Sequence, residues 1–236
     1  MVEIDKIKMA DLGFYINLDR RTDRNERILE ILKENNITGV ERYSARHDKG
    51  KPPQESLVNT TFDIYKKFLS TDNETLLILE DDCLFLPTIK ENTKEIFENI
   101  YSLDWDIFWL GGTNRKPPLY VANKCYQVSS PSYAQSYMIR KELCKYVLEH
   151  FENDWCNLGI DEMLCLAVYG WEVAKNPFGL NFYKSEQPLN DFPHIFTALT
   201  YECSFTTQYN SWSDLLGLET TLENWIPRNH PKPYIE

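Results

Sequence analysis

The sequence predicts an α/β fold with a mainly parallel central sheet flanked by helices. Leu76-Leu77-Ile78-Leu79 is an unbroken apolar run, the pattern of a strand buried on both faces of a parallel sheet. Asp106-Ile-Phe-Trp-Leu110 is a second such run, stopped by Gly111-Gly112. Around these runs apolar residues recur at helical spacing, so strands alternate with helices.

In chain order, Gly13 to Asn17 reads as the first strand. Asp23 is placed to cap the next helix, with Glu26 three residues on, and Ile28, Leu29, Ile31 and Leu32 form its buried stripe. Asn35-Asn36 ends it, and Val40 to Tyr43 is a short second strand. Residues 47–54 have the composition of a loop. Phe62, Tyr65 and Leu69 recur at helical spacing through Thr61 to Ser70. Ile89, Ile96, Phe97 and Ile100 mark a helix after Pro87, and Lys141 to Phe151 and Asp161 to Tyr169 mark two more. From about Pro188 the pattern loosens, with Trp212 to Trp225 expected as a helix packed on the body. The 236 residues read as a single domain, with a core over about 12–185 and a C-terminal elaboration over about 186–236.

A 42% hydrophobic and 14% aromatic composition is that of a globular core, not of a disordered chain. The net charge of −11 excludes a general nucleic-acid binder, which carries a basic face. It leaves a nucleotide ligand open, because one cation and a few arginines suffice for a diphosphate. No export signal is seen and no apolar run approaches the roughly 18 residues of a membrane helix. Six scattered cysteines, with no Cys-x-x-Cys pair, argue against zinc and for reduced thiols in a cytoplasmic compartment.

The chemistry concentrates where the first apolar run ends, in Glu80-Asp81-Asp82. Ligands of open α/β sheets bind at the carboxyl ends of strands. Three consecutive carboxylates there repel one another, and a divalent cation such as Mn²⁺ or Mg²⁺ resolves the conflict. In an extended chain alternate residues point the same way, so Glu80 and Asp82 are expected to share the metal while Asp81 faces elsewhere. The alternative is a solvated acidic turn. Arg20, Arg21 and Arg24 follow the first strand, where a guanidinium either holds a phosphate or remains a surface charge. Asn17, at the strand end, is placed to read a nucleobase through its amide.

Asp161 and Glu162 are candidates for a general base that takes the proton of an attacking hydroxyl. The other reading makes them an N-terminal cap, and the two roles are compatible. His194, in Asp-Phe-Pro-His, is a candidate third metal ligand from a C-terminal loop, or a solvated histidine. Trp109 is a candidate contact for a sugar face, and Cys83 a small buried packing residue.

Several segments, in order, resemble glycosyltransferase family 25, the lipopolysaccharide and collagen galactosyltransferases. These are Tyr15-Ile-Asn-Leu-Asp-Arg-Arg-Thr-Asp-Arg24, Tyr43-Ser-Ala-Arg46, Ile78-Leu-Glu-Asp-Asp82, Asp104-Trp-Asp-Ile-Phe-Trp-Leu-Gly111, Ser136-Tyr-Met-Ile-Arg140 and Ile160-Asp-Glu-Met163. The likeness spans about Phe14 to Phe182. It departs at Ser56-Leu-Val-Asn-Thr-Thr-Phe62, where the family carries a histidine-containing helix start. The resemblance implies a GT-A-type fold and an inverting, metal-dependent transfer of galactose or glucose from a UDP-sugar. The acceptor would be a hydroxyl on a glycan or a hydroxylysine-bearing, collagen-like protein. By the same likeness Asn17, Arg20, Arg24, Ser44 and Asp81 serve the nucleotide donor. Glu80 and Asp82 serve the metal, with His194, beyond the span of the likeness, as a further candidate ligand, and Asp161 or Glu162 the acceptor. Two rivals are a glycoside hydrolase, which needs carboxylates on both sides of the scissile bond, and a catalytically silent binding module of the same shape.

Overall fold

The computed structural model describes residues 6–86, 93–111, 113–114, 118–128, 131–132, 134–153, 158–169, 196–202, 205–208, 211–213 and 218–220. Strand β1 (Ile7–Asn17) starts earlier than predicted and is followed by helix α1 (Thr22–Glu34). The expected cap is corrected: the N-cap residue is Arg21, without a side-chain cap bond, and Asp23 lies inside the first turn. There the hydrogen-bonded Arg21 guanidinium, 2.8 Å away, holds the Asp23 carboxyl at about 2. The buried stripe is corrected as well. It comprises Arg24, Ile28, Ile31 and Leu32, while Leu29 is 48% exposed. Asn36 closes the helix with φ of +55°, a left-handed conformation asparagine tolerates.

Strand β2 (Ile37–Ser44) runs parallel to β1, and the two approach closely at Gly13. A Cβ there would stand 2.8 Å from the Gly39 carbonyl. Helix α2 (Pro53–Leu69) begins earlier than the apolar spacing suggested, with proline pre-set for the first turn. Strand β3 (Thr75–Glu80) follows as predicted; Asp81-Asp82 turn the chain into β4 (Cys83–Phe85). Next come α3 (Thr93–Tyr101), β5 (Ile107–Trp109), β6 (Thr113–Asn114), β7 (Leu119–Ala122), β8 (Cys125–Gln127) and β9 (Pro131–Ser132). The predicted Ile89 lies outside the described residues. Strand β10 (Ser136–Arg140) leads into α4 (Lys141–Phe151), and α5 (Ile160–Tyr169) follows. The chain continues with β11 (Ala198–Tyr201), β12 (Thr206–Gln208), β13 (Ser211–Ser213) and β14 (Leu218–Thr220).

Eight strands form the central sheet in the order β2-β1-β3-β10-β5-β11-β8-β7. Following the pairings, β2, β1, β3, β5, β11 and β7 point one way, and β10 and β8 the other. The sheet is therefore mostly parallel, as predicted. Two expectations about the C-terminal part fail. The sheet extends past residue 185, because β11 is an internal strand between β5 and β8. Part of the expected Trp212–Trp225 helix is instead the antiparallel pair β13 and β14, since cross-strand pairing overrides local spacing in a Thr- and Trp-containing segment.

Alternation along the strands divides the core. Phe14, Ile16, Leu76, Ile78, Tyr137 and Ile139 face α2, α4 and α5, whose Phe62, Tyr65, Leu143 and Leu164 complete one layer. Tyr15, Leu77, Leu79 and Met138 face α1 and α3, meeting Ile28, Ile31, Ile96 and Ile100. Each such side chain contributes roughly 1.5–3 kcal/mol of burial, enough together to offset the cost of enclosing charge at one sheet end. Trp109 belongs to this core at 3% exposure, with its ring centroid 5.7 Å from that of Tyr137, so it does not face a sugar. Cys83, Cys125, Cys144 and Cys165 are buried free thiols. Among the described residues no helix is long and apolar enough to cross a membrane.

Candidate functional site

The carboxyl ends of β1 and β3 lie side by side, in register from Leu12 with Leu76 to Ile16 with Glu80. This brings Asn17 next to the acidic turn. Its amide donates to Asp81 Oδ2 at 2.7 Å and to the Arg21 carbonyl at 3.0 Å. Its Oδ1 accepts from Arg42 Nε at 2.9 Å. Both polar ends of the Asn17 side chain are thus engaged inside the protein, at 1% exposure. The structure makes it a hub of the strand ends, and the expected base-reading amide is turned inward.

Arg24 reaches the same place from α1. Its Nη1 lies 2.7 Å from Asp81 Oδ1 and 3.2 Å from Asp82 Oδ2, with all three residues below a tenth exposed. Burial opposes the charge on Arg24, but Asp82 and Asp81 outweigh it and set its pKa above the ordinary value. Asp81 and Asp82 therefore converge on one guanidinium. The expected alternation, with Asp81 facing away, does not survive because β3 ends at Glu80 and the next two residues form a turn.

Glu80 stays on the strand, its N–H bonded to the Gln135 carbonyl at 2.8 Å. Enclosure of its carboxyl, then repulsion from Asp82 and Asp81, push it up to about 8, with Arg24 pulling the other way and Asp161 adding to the rise. The residue as a whole keeps partial solvent contact. Behind the turn, Ser136 and Thr206 share a short hydroxyl contact, and both bond to the Cys83 thiol, which burial pushes well up. Thr206 also packs on Gly111, where any Cβ would run into its hydroxyl and carbonyl oxygens. Strand β12 is thereby locked against the acidic turn through its pairing with β4.

At the mouth, Arg42 Nη2 is 2.6 Å from Asp19 Oδ1, which also accepts from Ser44 Oγ at 2.8 Å. These bonds hold the Asp19 carboxyl below the usual range. Arg20 and Ser44 are exposed there. On the other side, α5 presents its first turn. Glu162 Oε2 accepts from the Gly159 N–H at 2.7 Å, the reach-back half of a capping box. Asp161 Oδ1 accepts from the Glu162 N–H at 3.0 Å, and its charge is felt by both Glu80 and Tyr137. A Cβ on Gly159 would fall 2.7 Å from Asp161 Oδ1 and 3.0 Å from Gln54 Nε2, so glycine lets α2 and α5 close on this corner.

The structure thus brings Asn17, Glu80, Asp81, Asp82, Arg24 and Asp161 into one electrostatic unit. Ser44 and Arg20 lie at its rim, and His194 lies outside the described residues. Among the described residues, no group of three His, Cys, Asp or Glu side chains is arranged to hold a metal ion. The available oxygen donors, Glu80 and Asp82, suit a hard cation that takes one or two carboxylates and completes its shell with phosphate and water. Sequence reasoning assigned no role to Arg42, Asp19, Gln54 or Thr206; Asp19 stands in the Tyr15 to Arg24 segment and the other three in no quoted motif. Arg24 had a signal: it sits four residues before Ile28 and seven before Ile31, on the buried stripe.

No protein-family model and no curated protein matches the chain. Solved structures similar in fold, at low identity, include the following three. A glycosyltransferase involved in glycosylation of the major capsid of PBCV-1 is 14% identical, with a TM-score of 0.40, over 71% of this chain and 77% of that one. A197 from STIV is 12% identical, with a TM-score of 0.43, over 85% and 86%. The glycosyltransferase GlyE of Streptococcus pneumoniae TIGR4 is 13% identical, with a TM-score of 0.38, over 83% of this chain and 54% of that one. At these scores the chemistry of this chain rests on its own residues.

Proposed function

We propose that the protein is a glycosyltransferase of the family 25 kind, moving galactose or glucose from a UDP-sugar to a hydroxyl on a glycan or collagen-like protein. The observation that carries this reading is the buried Arg24–Asp81–Asp82 cluster at the carboxyl ends of β1 and β3, with Asp161 in its field. Such a cluster is costly unless the site uses its charge. Strand ends of this kind are where α/β sheets bind ligands.

In this reading Arg20 and Ser44 meet the nucleotide at the rim, and Asp19 and Arg42 fix the backbone beneath it. Glu80 and Asp82, with His194 as a further candidate, hold Mn²⁺ or Mg²⁺, which when bound neutralises the diphosphate leaving group. The acceptor oxygen forms its bond to the anomeric carbon as the bond from that carbon to the diphosphate oxygen breaks. UDP leaves with the electron pair, the acceptor proton passes to a carboxylate, and attack from the face opposite the leaving group gives inversion. Asp161 is favoured for that role, because Glu162 is engaged in capping α5. The buried, unbridged cysteines suit a reducing, cytoplasm-like compartment.

The test is transfer from a panel of UDP-sugars with and without Mn²⁺, beside UDP affinity. Asp161→Asn is expected to lose about 10²–10⁴-fold in transfer with UDP binding kept, the range for a lost general base. Glu162→Gln is expected to keep the cap bond through its amide oxygen and to cost about 0.3–1 kcal/mol of stability from the lost charge at the helix start, with transfer nearly unchanged. Tight UDP binding without transfer from any donor would leave a silent module; sugar release without nucleotide or metal would mean a hydrolase.

A further inference from the structure

We propose that Arg24 is a built-in counter-ion that competes with a divalent cation for Asp82, so that the cation binds weakly to the free protein and firmly only together with a nucleotide diphosphate. This rests on the nucleotide-sugar reading of the acidic strand end and adds to it an order of loading.

Arg24 is not a surface arginine free to swing away. It is 7% exposed and lies on the buried stripe of α1 with Ile28 and Ile31. Its Nη1 is pinned between Asp81 Oδ1 at 2.7 Å and Asp82 Oδ2 at 3.2 Å. The partner Asp81 is held in turn by Asn17 at 2.7 Å, and Asn17 by Arg42 at 2.9 Å. The guanidinium therefore has a fixed place beside the oxygen that a metal would use.

Two consequences follow from charge. Asp81 and Asp82 carry two negative charges, and Arg24 returns one of them before any metal arrives. A cation bound to Asp82 would also stand close to a fixed positive charge in a poorly screened site, where like charges repel strongly. A diphosphate reverses the balance, because its oxygens attract the metal and the guanidinium together. Metal and nucleotide then bind with positive coupling, and linkage makes that coupling reciprocal. The arrangement also lets the acidic turn fold without metal, since it carries its own cation.

The experiment titrates Mn²⁺ into wild type, Arg24→Gln and Arg24→Lys by calorimetry, each with and without UDP, after thermal melts show the temperature at which each is folded. In wild type, UDP is expected to tighten Mn²⁺ binding within about the 5–150-fold range of site coupling. In Arg24→Gln, Mn²⁺ alone should bind roughly tenfold tighter, the scale of one removed like charge, and the enhancement by UDP should shrink toward one. If Arg24→Gln does not fold, Arg24→Lys decides the matter. Its single ammonium holds one carboxylate at a time, so Mn²⁺ alone should bind tighter by a smaller factor. Unchanged or weaker Mn²⁺ binding in the folded variant, with wild-type coupling intact, overturns the role of Arg24 and leaves the transferase reading standing. Absence of Mn²⁺ and UDP binding in wild type overturns both.

Discussion

The two ends of β3 use carboxylates in opposite ways. At the amino end a single acid, Asp11, accepts from the N–H groups of Glu74 and Thr75 at 3.1 and 3.0 Å and from the Thr75 hydroxyl at 3.0 Å. Its partners, 63 and 64 residues on in sequence, are neutral donor groups that need no other charge. At the carboxyl end Glu80, Asp81 and Asp82 crowd round one guanidinium brought from α1, 57 residues away in sequence from Asp81. The first arrangement satisfies the backbone. The second sets like charges against one another; both are tertiary contacts, but only the second gathers groups that repel, which is where local and global preferences part.

The largest effect that can break this contrast is on stability. Arg24→Gln removes the guanidinium paired with Asp81 and Asp82 and is expected to cost about 3–5 kcal/mol in urea unfolding, because it takes one partner from a buried ion cluster. A loss below about 1 kcal/mol would mean that the turn is not held by this arginine. Asp11→Ala, at the other end, is expected to cost about 1–2 kcal/mol, the scale of unsatisfied donors at a partly exposed site. Its UDP affinity should match wild type; a coupled loss of UDP binding would show that the two ends are not independent.

The smallest effect sharpens the comparison through pH. Glu80 titrates at about 8 in the fold against an ordinary 4.5. Between these values the native protein keeps a proton that the unfolded chain has released. Its contribution to stability is fully present below pH 4.5 and is lost as pH rises through about 8. Partial solvent contact of the residue screens the effect, so the expected result is a shallow fall in the metal-free protein. Glu80→Gln should flatten that fall, while Asp11→Asn should leave it in place. Equal slopes in wild type and Glu80→Gln would remove Glu80 as its source.

Much of the fold was legible because periodicity is a local property. The Leu76–Leu79 run, the α4 pattern and the α5 pattern each announce an element whose buried face is written in consecutive residues. The acidic strand end was legible for the same reason, since three carboxylates at the end of an apolar run conflict wherever they are folded. Glu162 was legible as a candidate for a cap and for a base, two compatible roles, and the Gly159 N–H bond shows that its carboxylate caps α5.

What the sequence by itself determined is the identity and order of β1, α1, β2, α2, β3, α3, β5, α4 and α5, and the place where charge would need explaining. Only the tertiary structure decided what answers that charge. Helix α1 packs on the sheet so that a residue of its buried stripe, Arg24, arrives between Asp81 and Asp82. Likewise β10 inserts antiparallel between β3 and β5, and β11 enters the sheet from beyond residue 185. The physical reason is common to all three: strand pairing and ion pairing join residues distant in sequence, and their energies depend on a geometry that no local pattern encodes.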